Sequence, residues 1–169
     1  MRFLKLAVIS VGVLFCMVTA IGLLFPSSVR VSRATDIKAP QDSILHLLAD
    51  VKYWKLWLEG AKENPIQFLT AKTEGEGTVA RIGTNEVSLL QVLPGQIQTR
   101  WKGQDGVVQQ SRFELYADTA KQIVTVQWYF EQQLSWYPWE RFGSMMNDKI
   151  LGPTMEKSLE NLQQLAEKP

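Results

Sequence analysis

The pattern of apolar and polar positions divides this chain into three regimes. Residues 6–25, LAVISVGVLFCMVTAIGLLF, run 20 positions without a charge, preceded by Arg2 and Lys5 and stopped by Pro26. A helix rising 1.5 Å per residue over that run covers roughly 30 Å, the hydrocarbon thickness of a bilayer. A second regime begins at Val29, where Val29, Val31 and Ile37 share one parity and predict an imperfect strand over residues 29–39. Pro40 marks a helix start, where its missing N–H is harmless. Ile44, Leu45, Leu47 and Leu48 give that helix its apolar face, and an Asp-x-x-x-Trp-x-x-Trp run follows as Asp50, Trp54 and Trp57.

Beyond it the turn signals come thick. Strands are predicted over residues 66–73, 78–82, 86–93, 96–101, 107–116 and 123–131, separated by Glu74-Gly75-Glu76-Gly77, Gly83-Thr84-Asn85, Pro94-Gly95, Gly103-Gln104-Asp105-Gly106 and Ala117-Asp118-Thr119. The last has the cleanest period of two: Val124, Val126, Trp128 and Phe130 alternate with Thr125, Gln127, Tyr129 and Glu131. Ile97, Thr99 and Trp101 repeat the pattern against Gln96, Gln98 and Arg100. Short turns between successive strands imply an antiparallel meander. The third regime is helical, with Met155, Leu159, Leu162 and Leu165 on one face; Gly152-Pro153 predicts a kink or restart within it.

Composition narrows the class. Charged residues make up 21% and apolar ones 46% of 169 residues, the balance of one globular domain with a real core. The net charge of +1 gives no electrostatic ground for a nucleic-acid partner. The apolar N-terminus reads as an uncleaved membrane anchor over residues 1–26, because the run continues past the small-residue site Val18-Thr19-Ala20 at which a signal peptide would be cut. A lipoprotein reading fails on Phe15, too large to stand before a lipidated Cys16. The cationic flanks nearly balance, with Arg2 and Lys5 on one side and Arg30, Arg33 and Lys38 on the other. A short basic N-terminus ahead of a first span stays cytoplasmic, which places the soluble part, residues 27–169, outside the cytoplasm.

The order of these elements resembles the START-like, or SRPBCC, superfamily with its helix-grip fold. The nearest subgroup is the polyketide cyclase/dehydrase and lipid transport family, in bacterial versions with a membrane anchor. The residues that carry the likeness are Pro26-Ser27, Val29-x-Val31-x-Arg33, Ile37-x-Ala39-Pro40, Asp50 with Trp54-x-x-Trp57, Gly75-x-Gly77, and the final-helix pattern from Met146-Asn147-Asp148 through Gly152-Pro153 to Leu159-x-Asn161-Leu162. It covers nearly the whole chain. One departure is the segment ARIGTNEVS at residues 80–88, which lacks the aromatic and further glycines of many relatives and implies a shorter hairpin at the cavity mouth.

The resemblance implies an α+β fold, a curved antiparallel sheet of about seven strands wrapped on a long C-terminal helix, with a ligand cavity between them. Wall candidates are Trp54, Trp57, Trp101, Phe113, Trp128, Phe130 and Met146, with Met145 beside the last, and Arg33, which shares the parity of Val31 and could hold a ligand carboxylate or phosphate. Trp136, Tyr137 and Trp139 form a cluster at the strand-to-helix junction, suited to a gate or a bilayer-facing patch because Trp and Tyr favour interfaces. Parity turns Arg100 and Arg112 outward. Core packing remains the plainer role for most of these aromatics.

Chemistry is sparse. His46, the only histidine, lies between two leucines and reads as solvent-facing or capping; with one Cys in the apolar run, no usual zinc set can be assembled. The carboxylates are scattered, the Glu74–Thr78 glycines lack a phosphate loop's length and lysine, and no serine sits on a nucleophile elbow. No catalytic residue, metal or cofactor is expected. The reading is membrane-tethered binding or transport of a lipid or other hydrophobic small molecule without catalysis. A cyclase/aromatase-like enzyme and a protein-interaction or chaperone-like module stay open as alternatives, with any protein partner unspecified.

Overall fold

The computed structural model describes residues 2–24, 26–104, 106–144 and 146–168. Helix α1 (Arg2–Leu23) leads to strand β1 (Ser28–Ile37), helix α2 (Gln41–Ala49), one 3-10 turn (Val51–Tyr53) and the single-turn helix α3 (Trp54–Trp57). Strands β2 (Ile66–Phe68), β3 (Val79–Ile82), β4 (Asn85–Leu93), β5 (Gln96–Lys102), β6 (Val108–Asp118) and β7 (Ile123–Gln133) come next. Helices α4 (Pro138–Ser144) and α5 (Asn147–Ala166) end the chain. Phe25 at the end of the predicted anchor, Asp105 in the predicted turn before β6, and Met145 lie outside the described residues, as do Met1 and Pro169.

All seven strands form one antiparallel sheet in the order β1-β7-β6-β5-β4-β3-β2. The first strand closes onto the last, Ser28 facing Gln133 and Ile37 facing Val124, and the rest is a meander. A bulge at Leu90, between the Leu89–Thr99 and Gln91–Gln98 pairs, bends β4 and curves the sheet. Inward positions alternate as the period of two requires: Val31 and Ile37 on β1, Ile97 on β5, Phe113 and Leu115 on β6, and Val124, Val126 and Trp128 on β7 are all buried. Helix α5 crosses this concave face, burying Met155, Leu159 and Leu162, and packs most heavily on β1. The outer face is polar. There Tyr129 is also buried, beneath the guanidinium of Arg30 at 3.5 Å from its ring centroid.

Two local expectations differ from the structure. The long strand predicted at residues 66–73 shortens to β2, because the chain beyond Leu69 is recruited elsewhere: Val51 N–H donates to Thr73 O at 3.0 Å and Gly75 N–H to Ala49 O at 3.1 Å. Gly75 and Gly77, with φ of 76° and 81°, let that loop turn under α2. Of the kink or restart predicted at Gly152-Pro153, the restart does not occur. Helix α5 runs through Pro153, and the interruption falls earlier, at a turn closed by Met146 N–H on Gly143 O. Pro153 stands opposite exposed Lys149, whose freed carbonyl can turn to water.

The register fixes which loops share an end of the domain. Strand β1 starts where α1 finishes, so the starts of β2, β4 and β6 and the ends of β3, β5 and β7 lie at that same end. The connections 58–65, 83–84, 103–107 and 134–137 therefore cluster beside the exit of α1. Helix α5 also starts there, with Asn147 Nδ2 donating to Gln132 Oε1 at 3.2 Å, and finishes at the far end, where Lys38 N–H donates to Glu167.

Candidate ligand cavity

A cavity of about 860 Å³ opens between the concave face and α5. Its floor is aromatic: Trp101, Trp128 and Phe130, with Leu58, Ile82 and Met155 beside them. Leu151, Thr154 and Met155, one face of the first turns of α5, form one wall. The mouth is made by Glu59, Gly60 and Asn64, by Thr84 and Asn85 of the short β3–β4 turn, and by Gly103, Gln104, Val107 and Gln109. These are the loops gathered at the α1 end. The cavity lies within the volume range of sites for drug-sized ligands.

Six aromatic candidates form one ring network. Phe113 stacks on Trp128 with centroids 5.0 Å apart, and Trp54 stacks on Trp101 at 5.7 Å. Trp57 meets Trp128 edge-on at 6.2 Å, and Phe130 joins Trp128 at 5.3 Å and Trp101 at 5.9 Å. Trp101, Trp128 and Phe130 face the cavity, while Trp54, Trp57 and Phe113 are fully buried behind them. Each indole N–H is satisfied by protein. Trp128 Nε1 donates to Ser111 Oγ at 2.6 Å and Trp101 Nε1 to Thr99 Oγ1 at 3.0 Å. Trp54 and Trp57 donate to Leu48 O and Leu47 O. What the floor offers a ligand is therefore ring surface rather than N–H donors.

Arg33 points inward on β1 but outside this wall. Its Nε donates to Glu156 at 2.6 Å and its Nη1 meets Asp148 at 2.9 Å, so the guanidinium fastens the first half of α5 to β1. It passes over Gly152, where a Cβ would run into the guanidinium. The hydrogen bond to Asp148, then that to Glu156, raises the Arg33 pKa above its ordinary value. Met146 is also outside the wall, 51% exposed ahead of α5. Arg100 is exposed on the outer face, and Arg112 reaches Glu114 there at 3.8 Å. His46 is exposed, tilted against Tyr53 with centroids 5.1 Å apart. Among the described residues no three His, Cys, Asp or Glu side chains gather to hold a metal.

The Trp136, Tyr137 and Trp139 cluster sits on the outside of the same end. Tyr137 lies between the two indoles, with centroids 4.5 Å from Trp136 and 4.9 Å from Trp139, and Trp136 and Trp139 are 52% and 61% exposed. Helix α4 packs on the last turn of α1. A Cβ on Gly22 would touch Pro138 at 3.4 Å, and buried Arg141 donates to Gly22 O at 3.3 Å, capping carbonyls that the helix end leaves unpaired. Residues 3–23 of α1 have a mean hydropathy of 2.5 and are almost wholly exposed, so length and composition suit either a span or a signal sequence.

Sequence reasoning did not find Glu59, Asn64, Gln104, Gln109, Leu151 or Thr154. Gln109 shares the inward parity of Ser111 and Phe113, and Leu151, Thr154 and Met155 are spaced three and four apart, so both signals were present along the chain. The loop residues carried none.

No known sequence family and no curated protein matches this chain. Solved structures do. A hypothetical protein from Helicobacter pylori aligns at 12% identity and TM-score 0.63 over 82% of this chain and 88% of its own. Truncated norcoclaurine synthase from Thalictrum flavum aligns at 11% and 0.64 over 84% and 95%. The di-domain ARO/CYC protein BexL aligns at 12% and 0.64 over 85% of this chain and 51% of its own length. At these identities the likeness speaks for architecture alone: this chain has a helix-grip fold of the kind found in cyclase and norcoclaurine synthase structures, with an apolar helix added at its N-terminus.

Proposed function

We propose that residues 1–26 anchor the chain in a membrane and that residues 27–169 bind a lipid or other hydrophobic small molecule, without catalysis, in the sheet–helix cavity. The observation that carries this is the position of the mouth. The strand register sets the cavity opening at the end where α1 leaves the domain, so an apolar ligand would pass between bilayer and cavity with little exposure to water. Each methylene transferred from water to that floor contributes roughly 0.8 kcal/mol. The exposed Trp136–Tyr137–Trp139 cluster supports the same geometry. It adjoins the last turn of α1, the level at which Trp and Tyr favour a membrane interface. On the basic N-terminus we set the domain outside the cytoplasm; protease digestion of the domain in sealed vesicles of known orientation tests that side.

The cyclase reading keeps one observation in its favour, a mouth that is not wholly apolar: Glu59, Asn64 and Gln109 could steer a reactive chain. Glu59 is the only titratable side chain among the described residues of the wall, so an acid–base pair would have to come from the substrate.

The test is native mass spectrometry of the full chain released from nanodiscs, with organic extraction of what co-purifies. A filled-cavity variant, Thr154→Trp, serves as background. One apolar molecule per chain that disappears in the variant is the expected result. Equal occupancy in both, or none in either, would end the carrier reading.

A further inference from the structure

The cavity is polarised along its depth, and that limits what it can hold. Its deep end is ring surface with every indole N–H already paired. Its wall holds no cation: among the described residues lining it there is no Lys, Arg or His, and there is one carboxylate, Glu59. The amides at the mouth are partly spent. Asn64 Nδ2 donates to Gly60 O at 2.8 Å and Gln109 Nε2 to Gln132 Oε1 at 3.2 Å, so each amide keeps its oxygen and one N–H to meet a ligand. Glu59 adds two more acceptor atoms, one already taking a hydrogen bond from Asn161 at 3.3 Å. The inward guanidinium of Arg33 is committed to Asp148 and Glu156 and does not reach the wall.

An ionised carboxylate or phosphate drawn in past the exposed mouth would lose water and find no cation in the wall, and at the mouth it would face the like charge of Glu59. A hydroxyl would lose little, because it donates to the oxygens already in place. We propose that the site takes an uncharged amphiphile, apolar end first, whose polar end is a hydroxyl donor, and that it rejects amphiphiles headed by carboxylate or phosphate. This rests on the reading of the cavity as a ligand site.

A matched pair isolates the head group: oleyl alcohol and oleate share one hydrocarbon chain and differ in charge. The full chain in phosphatidylcholine nanodiscs is offered each in turn, well above the carboxylate's titration range, and cavity occupancy is counted by native mass spectrometry. Occupancy in Thr154→Trp is subtracted, with Leu151→Trp as a second filler and circular dichroism to check that both fold. The alcohol is expected to bind at least about tenfold more tightly than oleate. Gln109→Arg, which puts a cation in the wall, is expected to raise oleate affinity about tenfold and leave the alcohol little changed. Oleate binding as tightly as the alcohol in the native chain would overturn the charge class while leaving the carrier intact. Absence of any filler-sensitive uptake, including of lipids from the nanodisc, would remove both.

Discussion

Gly152 and Arg33 offer a test of how the helical wall of the cavity is held. Replacing Gly152 by Ala inside α5 gains about 1 kcal/mol of helix propensity. The new methyl cannot coexist with the guanidinium where it stands, since the built Cβ lies 3.1 Å from Arg33 Cζ and closer still to Nη2. The side chain must swing away, losing its contacts with Asp148 and Glu156. Both carboxylates are largely exposed, at 63% and 61%, so each contact is worth about 0.2–1 kcal/mol. In the native background gain and loss nearly cancel, and Gly152→Ala should change stability by less than about 1 kcal/mol in either direction. In an Arg33→Ala background nothing is displaced, and the same substitution should stabilise by about 1 kcal/mol. The double-mutant cycle then shows a coupling of about 0.5–2 kcal/mol, smaller at high salt. Urea unfolding of the full chain in nanodiscs reads it through tryptophan fluorescence, because Trp54, Trp57 and Trp128 are buried. If Gly152→Ala has the same effect in both backgrounds to within about 0.3 kcal/mol, the latch is not there.

Other consequences follow from the same coordinates. Ser111→Ala strips the acceptor from buried Trp128 Nε1 and should cost about 1–3 kcal/mol in the same unfolding assay; a neutral result would mean the indole finds another acceptor. On the outer face the hydrogen bond from Tyr116, helped by Tyr129 and the charges of Arg112 and Arg30 and opposed by burial, holds the Glu114 carboxyl below its ordinary 4.5. A folded value below the unfolded one gives stability that is present above about pH 4.5 and drains away as pH falls through the folded value. Glu114→Gln should therefore flatten the acid limb of the stability–pH curve, and parallel curves for the two proteins would contradict this. The pair Trp136→Ala and Trp139→Ala should leave folding stability within about 0.5 kcal/mol while removing the share of tryptophan fluorescence quenched by lipids brominated near the head group. Undiminished quenching in the double variant would take the patch off the bilayer.

What was legible in the sequence was whatever repeats along the chain. Alternation on β5 and β7 set the faces of Trp101, Trp128 and Phe130 before any contact was known, and the Leu159–Leu162 spacing fixed the buried side of α5. Length was harder. Residues 69–73 have strand-like composition, yet their backbone is claimed by Ala49 and Val51, a partnership no local period announces. Pro153 did not end the helix, because the carbonyl it frees on exposed Lys149 can turn to water. Arg33 shared the parity of cavity residues, but parity names a face and not a depth. The mouth was the least visible part: Asn64, Thr84 and Gln104 sit on separate turns that meet only because the sheet curves.

The join between α1 and β1 has a consequence for range. Only residues 24–27 connect them, a reach of about 14 Å when fully extended, and Ser27 O already accepts from Leu134 N–H. With Arg141 bonded to the end of α1 as well, an α1 that spans a bilayer, as proposed, would leash the domain to the plane of that bilayer. A cavity held so short could diffuse sideways but not cross an aqueous gap, so its cargo would have to be handed to, or taken from, something that comes to the same surface.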